Sequence, residues 1–170
     1  MDAEQRTCSF AQSLQERNHR RKPGRIIVTG VSHIHDLPCD EIWQIMKGGA
    51  DIEGTIRVRA LAPSDNLFHK YVKQWKDTDP EAWWPLYEAQ FTKEINQVMI
   101  DKLIALAKSG KTIVLFCFCR NANYCHRSIV SRALQEQGAP VEVYEPAPAE
   151  NQPLPPESRQ LTLDEFMSIP

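Results

Sequence analysis

The chain has 170 residues and a mass of 19.5 kDa, which suits a single domain. Its hydrophobic fraction of 42% and charged fraction of 25% are typical of a globular protein, and no apolar run approaches the roughly 18 residues that cross a bilayer. A net charge of -2 argues against a protein that binds nucleic acid over its whole surface. The first 22 residues lack the apolar centre of a secretory signal, and five cysteines, an odd number, do not suit a secreted disulfide framework. We therefore expect a cytoplasmic protein with free thiols and no membrane association.

Charge and proline content divide the chain into three parts. Residues 1–23 form a basic arm, residues 24–145 carry the apolar patterns of a folded α/β domain, and residues 146–170 are acidic and rich in proline. A basic arm either touches phosphates or is simply a solvated tail. The tail is predicted to be extended or disordered, and residues 161–167 are expected to form one helical turn that docks on the body or on a protein partner.

The first half of the domain predicts two strands and two helices. The β-branched run of residues 25–30 predicts a buried strand. Residues 40–47 begin at a cap-like Asp40 and predict a short helix that stops at two glycines. Residues 55–60 alternate apolar with basic side chains, which predicts a strand with Arg57 and Arg59 on one face. Ser64 is expected to cap a helix that runs to about residue 75.

The second half is dominated by one apolar strand. Asp79 and Pro80 start a helix, and apolar residues spaced by three and four continue to residue 109, which predicts a long amphipathic helix with one break. Residues 111–119 are apolar on both faces, as in the central strand of a parallel sheet. Residues 127–137 predict a helix, and residues 140–144 predict a last strand. This alternation predicts a single three-layer α/β domain with a mainly parallel sheet and flanking helices.

The loop between the central strand and the next helix concentrates reactive side chains. Ligands of open α/β sheets bind at the carboxyl ends of strands, where helix N-termini attract anions. Cys125 and His126 could act there as acid, base, nucleophile or metal ligand. The helix dipole and cationic neighbours favour a thiolate, so Cys125 is a candidate nucleophile; the alternative is a cysteine that only packs under the helix. The ligand-binding residues expected in this loop are Arg120, Asn123, Arg127 and Ser128.

Polar residues elsewhere are candidates for the same site. His33 and His35 follow the first strand, so they should open at the same sheet edge, with His35 moving protons and His33 contacting the ligand; the alternative is an ordinary polar loop. Arg59 and Ser64 are candidate anion contacts. Trp83 and Trp84 could stack on a nucleobase, although tryptophans beside a helical apolar stripe more often serve packing.

Two rival chemistries are conceivable at this loop. The spacing of tyrosine phosphatases, cysteine followed six residues later by arginine, is absent, because Cys125 lies six residues after Cys119 and Asn121 lies six before Arg127. The sequence therefore argues against the mechanism of tyrosine phosphatases. Cys117, Cys119, Cys125 and His126 could instead hold a metal, since thiolates suit zinc. Cys117 lies within an apolar strand and is equally explained as a small core residue. We expect no cofactor, with zinc as the alternative.

Three segments carry a family resemblance. They are Arg59-Ala-Leu-Ala-Pro-Ser64, Trp83-Trp-Pro-Leu-Tyr-Glu-Ala-Gln-Phe91, and the strand of residues 112–119 followed by Cys125-His-Arg-Ser128. Through them the chain resembles the domain-of-unknown-function family numbered 488 from about Gly24 to Tyr144. The resemblance implies a compact α/β fold in which residues 59–64 lie near the Cys-His-Arg loop.

The leading hypothesis is a hydrolase-like enzyme that acts on a phosphate-bearing or otherwise anionic ligand, such as a nucleotide or nucleic acid. Three arginines would bind the anion, His126 or His35 would move protons, and Cys125 would be the nucleophile. The residues of that anion site are Arg59, Arg120 and Arg127. Two alternatives remain open: a non-catalytic adaptor module that binds a nucleotide or anion, and a protein that binds metal through cysteine and histidine.

Overall fold

A five-stranded parallel sheet organises the chain in a computed structural model that describes residues 23–145. The strands are β1 (Ile26–Gly30), β2 (Glu41–Gln44), β3 (Ile56–Arg57), β4 (Ile113–Cys117) and β5 (Val141–Tyr144), in the spatial order β3-β2-β4-β1-β5. Every pair is parallel. The predicted α/β domain with a parallel sheet is therefore confirmed. The predictions for the arm before residue 23 and for the tail from residue 146, including the docking turn at 161–167, lie outside the described residues.

Four helices accompany the sheet: α1 (Asp65–Lys70), α2 (Pro80–Glu94), α3 (Gln97–Lys108) and α4 (His126–Glu136). Ser64 caps α1 as predicted, because its hydroxyl accepts a hydrogen bond from the Leu67 amide at 3.2 Å. A single π turn, Tyr71–Trp75, extends this helix. The predicted break in the long helix is confirmed, since α2 ends at Glu94 and the Asn96 side chain caps α3. No helix in the part of the chain that the structure describes is long and apolar enough to cross a membrane.

The strand β4 lies at the centre of the sheet, between β2 and β1, and all five of its residues are buried. Ile113 and Leu115 pack in one core cluster, whereas Val114 and Phe116 pack in a second. The first cluster contains side chains from all four helices, while within residues 23–145 the second is closed by loop residues such as Ile34. The strand predicted to be central is thus covered on one face by helices and on the other by loops.

Residues 40–47 were predicted as a helix, and this prediction is wrong, because the structure places β2 there. Ile42, Ile45 and Met46 have spacings that fit a helix, but Trp43 packs in the first core cluster and Ile42 in the second, as expected of a strand buried on both faces. Asp40 accepts a hydrogen bond from the Thr112 amide at 2.7 Å and so joins β2 to the start of β4. Short apolar runs are ambiguous between helix and strand, and here the neighbouring strand decides.

The strand predicted at residues 55–60 is shorter than expected. Only Ile56–Arg57 pairs with β2, and Arg59 begins a 3-10 turn, Arg59–Leu61. Arg57 is held by the Asp51 carboxylate and by the Gly49 carbonyl at 2.6 Å, while Arg59 is exposed. The prediction that Arg57 and Arg59 share one strand face is therefore wrong, since the turn rotates the chain between them.

Candidate functional site

The loop that leaves β4 returns to the carboxyl end of the same strand. After Cys117 the chain runs through a 3-10 turn, Ala122–Tyr124, to α4. Asn121 shapes this turn by accepting a hydrogen bond from the Asn123 amide at 2.9 Å. At the start of α4, the Ser128 hydroxyl donates to the Cys125 carbonyl at 2.8 Å. These local bonds bring the two ends of the loop together.

Three cysteines and one histidine meet where the loop closes. We call Cys117, Cys119, Cys125 and His126 the thiol cluster; their ligand-type atoms all lie within 4.8 Å of one another. The Cys117 and Cys119 sulfurs are 3.5 Å apart, and His126 Nδ1 lies 3.9 Å from the Cys117 sulfur and 3.9 Å from the Cys125 sulfur. Cys119 is half-buried, and the other three are buried. The sequence placed these residues near one another along the chain, and folding brings their reactive atoms into contact.

The orientation of His126 is fixed by a backbone carbonyl. Its Nε2 lies 2.7 Å from the Ile45 carbonyl oxygen, which can only accept, so Nε2 carries the proton. The lone pair on Nδ1 therefore faces the sulfurs. Burial lowers the pKa of His126, which keeps the ring neutral, and Phe91 packs edge-on against it at 5.5 Å between ring centres. His126 thus presents an acceptor, not a charge, to the thiols.

The three thiols differ in acidity. Hydrogen bonds from Cys119 and Cys125 hold the pKa of Cys117 well below its usual range, and the Arg127 charge acts in the same direction. The hydrogen bond to Cys117 raises the pKa of Cys119 to about 11, and burial raises the pKa of Cys125 well above its usual range. The sequence predicted a thiolate at Cys125, whereas the tertiary contacts favour it at Cys117. Of the three thiols, Cys117 at the end of β4 is therefore the one whose neighbours favour the thiolate.

Arg127 links the thiol cluster to the end of β5. Its guanidinium is 3% exposed. Nη1 donates to the Cys119 carbonyl at 2.6 Å and lies 3.9 Å from the Cys125 sulfur, and Nη2 donates to the Glu145 carboxylate at 2.9 Å. The predicted position of Arg127 beside the reactive thiols agrees with the geometry, and Glu145 is the carboxylate that balances its charge.

The predicted residues on the loop after β1 lie at the same sheet edge. Val31 and Ile34 pack in the core cluster that contains Cys117 and Cys125. His33 lies 3.7 Å from the Asp36 carboxylate, and its ring packs edge-on against Tyr144. His35 is exposed. The loop therefore closes one side of the site through its apolar residues.

The remaining predicted ligand residues occupy the surface or support helices. Arg120 and Asn123 are exposed on the loop, and Arg59 is exposed near Asp65, whose pKa it helps to lower. Ser64 caps α1, and its amide donates to the Glu94 carboxylate at 3.1 Å. In the described residues, Ser64 therefore has a structural role, and its predicted role in ligand binding stays a prediction.

The helix α2 contains one of the three segments that carry the family resemblance and joins the other two. Glu94 binds the Ser64 amide, and Phe91, one turn earlier, packs against His126. Residues 59–64 and the Cys-His-Arg loop therefore flank the same end of α2. The resemblance implied that these two segments lie near one another, and α2 connects them in the structure.

Aromatic side chains surround the same helix. Trp83 is buried against Tyr71, Trp75 and Tyr87, with ring centres 5.3 to 6.0 Å apart, and Trp84 stacks on Tyr87. These contacts favour packing over nucleobase stacking as the role of the two tryptophans. Burial and the neighbouring thiols raise the pKa values of Tyr71 and Tyr87, so the aromatic cluster borders the thiol cluster.

The sequence did not indicate three parts of this site. Glu145 is the last residue of the predicted domain and was not among the candidate site residues, although it pairs with Arg127. The Ile45 carbonyl, which fixes His126, lies in the segment that was predicted as a helix. Cys117 was interpreted as a core residue, and its position at the end of the central strand was the one available signal of a reactive group.

Comparison with known protein families identifies the family of the chain. A family model described as "DUF488-N3a: Active DUF488-N3 subclade" matches residues 25–138. No curated protein and no solved structure matches the chain. The match covers β1 to the end of α4 and therefore includes the whole thiol cluster.

Proposed function

Because the chain belongs to the DUF488 family, we propose that it is a thiol-dependent, hydrolase-like enzyme acting on a phosphate-bearing ligand, with Cys117 as its nucleophile. The observation that carries the proposal is the position of Cys117 beside the Cys119 sulfur and His126 Nδ1. Its sulfur lies at the carboxyl end of the central strand, and its pKa is held well below the usual range by two neighbouring thiols. A thiolate is the nucleophilic form of cysteine. The word "active" in the family description agrees with a catalytic role.

The neighbours of Cys117 have complementary roles in this proposal. Cys119 and Cys125 act as protonated donors that stabilise the thiolate, because their own pKa values are raised. His126 is neutral, with Nδ1 as an acceptor facing the sulfurs, and it serves as the proton acceptor. Arg127 provides the positive charge for the phosphate oxygens.

The reaction balances as a two-step displacement. The Cys117 sulfur attacks phosphorus, an S–P bond forms, the P–O bond to the substrate alcohol breaks, and the alcohol takes a proton from solvent. Water then attacks phosphorus, the S–P bond breaks, and His126 Nδ1 takes a proton of the water and returns it to solvent. Inorganic phosphate leaves and the thiolate is restored. Because Cys117 is 3% exposed, this proposal requires the side chains around its sulfur to move before phosphorus can reach it.

Substitution of single cysteines tests the proposal. Hydrolysis of p-nitrophenyl phosphate and of a 5′-phosphorylated oligonucleotide should fall by at least about 10³-fold in Cys117→Ser and Cys117→Ala, because the nucleophile is removed. Cys119→Ser is the matched control, since it changes the same atom two residues away, and it should retain a larger share of the rate. Wild-type turnover in Cys117→Ser would eliminate the thiol mechanism. Loss confined to Cys125→Ser would restore the sequence-based prediction that Cys125 is the nucleophile.

A second candidate function is a metal centre, and the compactness of the thiol cluster favours it. Zinc is held tetrahedrally by cysteine sulfur and histidine nitrogen, and four such atoms lie within 4.8 Å here. The donor set fits the ion, because the Ile45 carbonyl fixes His126 with Nδ1 toward the sulfurs, as the outer contacts of zinc sites commonly do. Three thiolates with one divalent ion leave one negative charge, which Arg127 can balance at 3.9 Å from Cys125.

Metal analysis separates the two candidates. A metal centre predicts about one zinc per chain in the purified wild type, and less than half of that in Cys119→Ser, since three ligands remain. The thiol enzyme predicts activity in protein stripped with EDTA. Stoichiometric zinc together with loss of activity on stripping would overturn Cys117 as a free nucleophile. Substoichiometric zinc in active protein would overturn the metal centre.

A further inference from the structure

A cleft of about 310 Å³ opens between α4 and the edge strand β5. Its size is at the lower end of the range typical of small-molecule sites, roughly 300–1,000 Å³. The polar part of its lining includes Arg127, Ser128 and Ser131 on α4 and Glu145 after β5. Ser128 and Ser131 are three residues apart, so they lie on one helix face in the first turns of α4. The cleft therefore combines a buried cation, two hydroxyls and the positive end of a helix dipole.

Arg127 reaches this cleft from the thiol cluster. Its Nη1 is engaged on the cluster side by the Cys119 carbonyl, and its Nη2 is engaged on the cleft side by Glu145. The carbonyl belongs to the backbone of the loop, but the Glu145 side chain is 46% exposed. A buried guanidinium requires an anionic partner, and a carboxylate at a half-exposed position is the partner that another anion can replace.

Ser131 adds a second serine side chain to the lining of the cleft. The residue is 3% exposed and lies on the same face of α4 as Ser128. The Ser128 hydroxyl donates to the Cys125 carbonyl. The cleft therefore places Ser131 beside a cation whose counterion comes from the edge of the domain.

We propose that this cleft is a phosphate-binding subsite, in which Arg127 and Ser131 bind the phosphate group and Glu145 occupies the anion position in the free protein. The inference rests on the proposed function in that both assign Arg127 to a phosphate. It goes further by naming Glu145 as an internal competitor. Removing the Glu145 charge leaves Arg127 without its carboxylate and so favours an external anion, while the bond to the Cys119 carbonyl continues to orient the guanidinium.

The proposal is tested by titrating the 170-residue chain with inorganic phosphate in a calorimeter. Glu145→Gln should bind phosphate at least tenfold more tightly than the wild type, because the competing carboxylate is gone. Glu142→Gln is the matched control, since it removes the same charge three residues earlier, on β5, from an exposed pair with Arg25. Its dissociation constant should equal that of the wild type. Equal affinities for Glu145→Gln and Glu142→Gln would overturn the proposal.

Further measurements distinguish a failed subsite from a failed thiol mechanism, and free phosphate from a phosphate ester as the ligand. In the Glu145→Gln background, Ser131→Ala should weaken phosphate binding severalfold, and unchanged binding would remove Ser131 from the subsite. Cys117→Ser should leave phosphate affinity unchanged even where turnover is lost, so a failed thiol mechanism and a failed subsite give different results. Titration with a nucleoside 5′-monophosphate in place of phosphate distinguishes an ester from the free ion, and binding of neither ligand by Glu145→Gln would overturn the proposal.

Discussion

At the scale of single residues, the ionisation of the thiols depends on contacts that form when the loop after β4 closes. Cys117 lies in an apolar strand and Cys125 at a helix start, so the sequence favoured Cys125 as the thiolate. Folding gives Cys117 two thiol donors and the nearby charge of Arg127, and it buries Cys125. A helix dipole stabilises a charge only within the first turn of the helix. A direct hydrogen bond to a charged sulfur stabilises it more strongly. The contacts of Cys117 therefore outweigh the position of Cys125 at the helix start.

Gly24 permits the close approach of two chain segments. A Cβ at this position would clash with the backbone of Gly110 and Lys111. The neighbouring backbone is fixed, since the Ile113 amide donates to the Arg25 carbonyl at 2.9 Å. Gly24→Ala should therefore lower the free energy of unfolding by about 1–3 kcal/mol, as overpacked sites do. Urea denaturation measures this change.

Gly30→Ala is the control for this prediction. A Cβ on Gly30 would meet nothing within 4 Å, and its φ of -84° is ordinary for alanine. The variant should be as stable as the wild type or more stable by up to about 1 kcal/mol, because alanine restricts the unfolded chain. Equal stability of the two variants would contradict the role assigned to Gly24.

At the scale of elements, the strand β2 shows where local pattern fails. Its apolar residues have spacings that fit a helix, yet the segment pairs with β4 on one side and β3 on the other. Gln44 is buried within it, where its amide donates to the Ala50 carbonyl at 3.0 Å. A buried glutamine in a strand gives no periodic signal. By contrast, Ser64, Asp79 and Asn96 act as caps through their own side chains, and the sequence located two of these helix starts.

Glu41, the first residue of β2, should make the stability of the protein depend on pH. Hydrogen bonds from Lys111 and from the Trp43 indole lower the pKa of Glu41 below its ordinary value of 4.5. A carboxyl whose pKa is depressed on folding stabilises the protein above the unfolded pKa, and this contribution is lost as the pH falls through the folded value. Glu41→Gln should therefore have a slightly lower melting temperature than the wild type at pH 7, and the difference should vanish as the pH falls well below 4.5.

Thermal unfolding between pH 3 and pH 7 measures the effect. Glu53→Gln, an exposed residue between β2 and β3, is the control and should follow the wild-type curve at pH 7. A melting-temperature difference between Glu41→Gln and the wild type that stays constant over the whole pH range would contradict the assignment.

At the scale of the whole molecule, the site exists because four elements end at one place. The sheet brings the carboxyl ends of β1 and β4 side by side, with Gly30 opposite Cys117. The chain after β2 supplies the Ile45 carbonyl, and α2 supplies Phe91, so His126 is held from two directions. Changes at Ile45 or Phe91 therefore reach the thiol cluster through His126.

The sequence by itself determined the parallel α/β architecture, the central position of β4, the break between α2 and α3, and the loop in which the reactive side chains lie. These features follow from apolar periodicity and from caps, which act over a few residues. The tertiary structure decided that residues 41–44 form a strand, that the thiolate is favoured at Cys117, and that Glu145 is the partner of Arg127. These features depend on pairing between distant strands, on closure of the loop after β4 and on an ion pair between groups 18 residues apart, and such contacts exist only after the chain has folded.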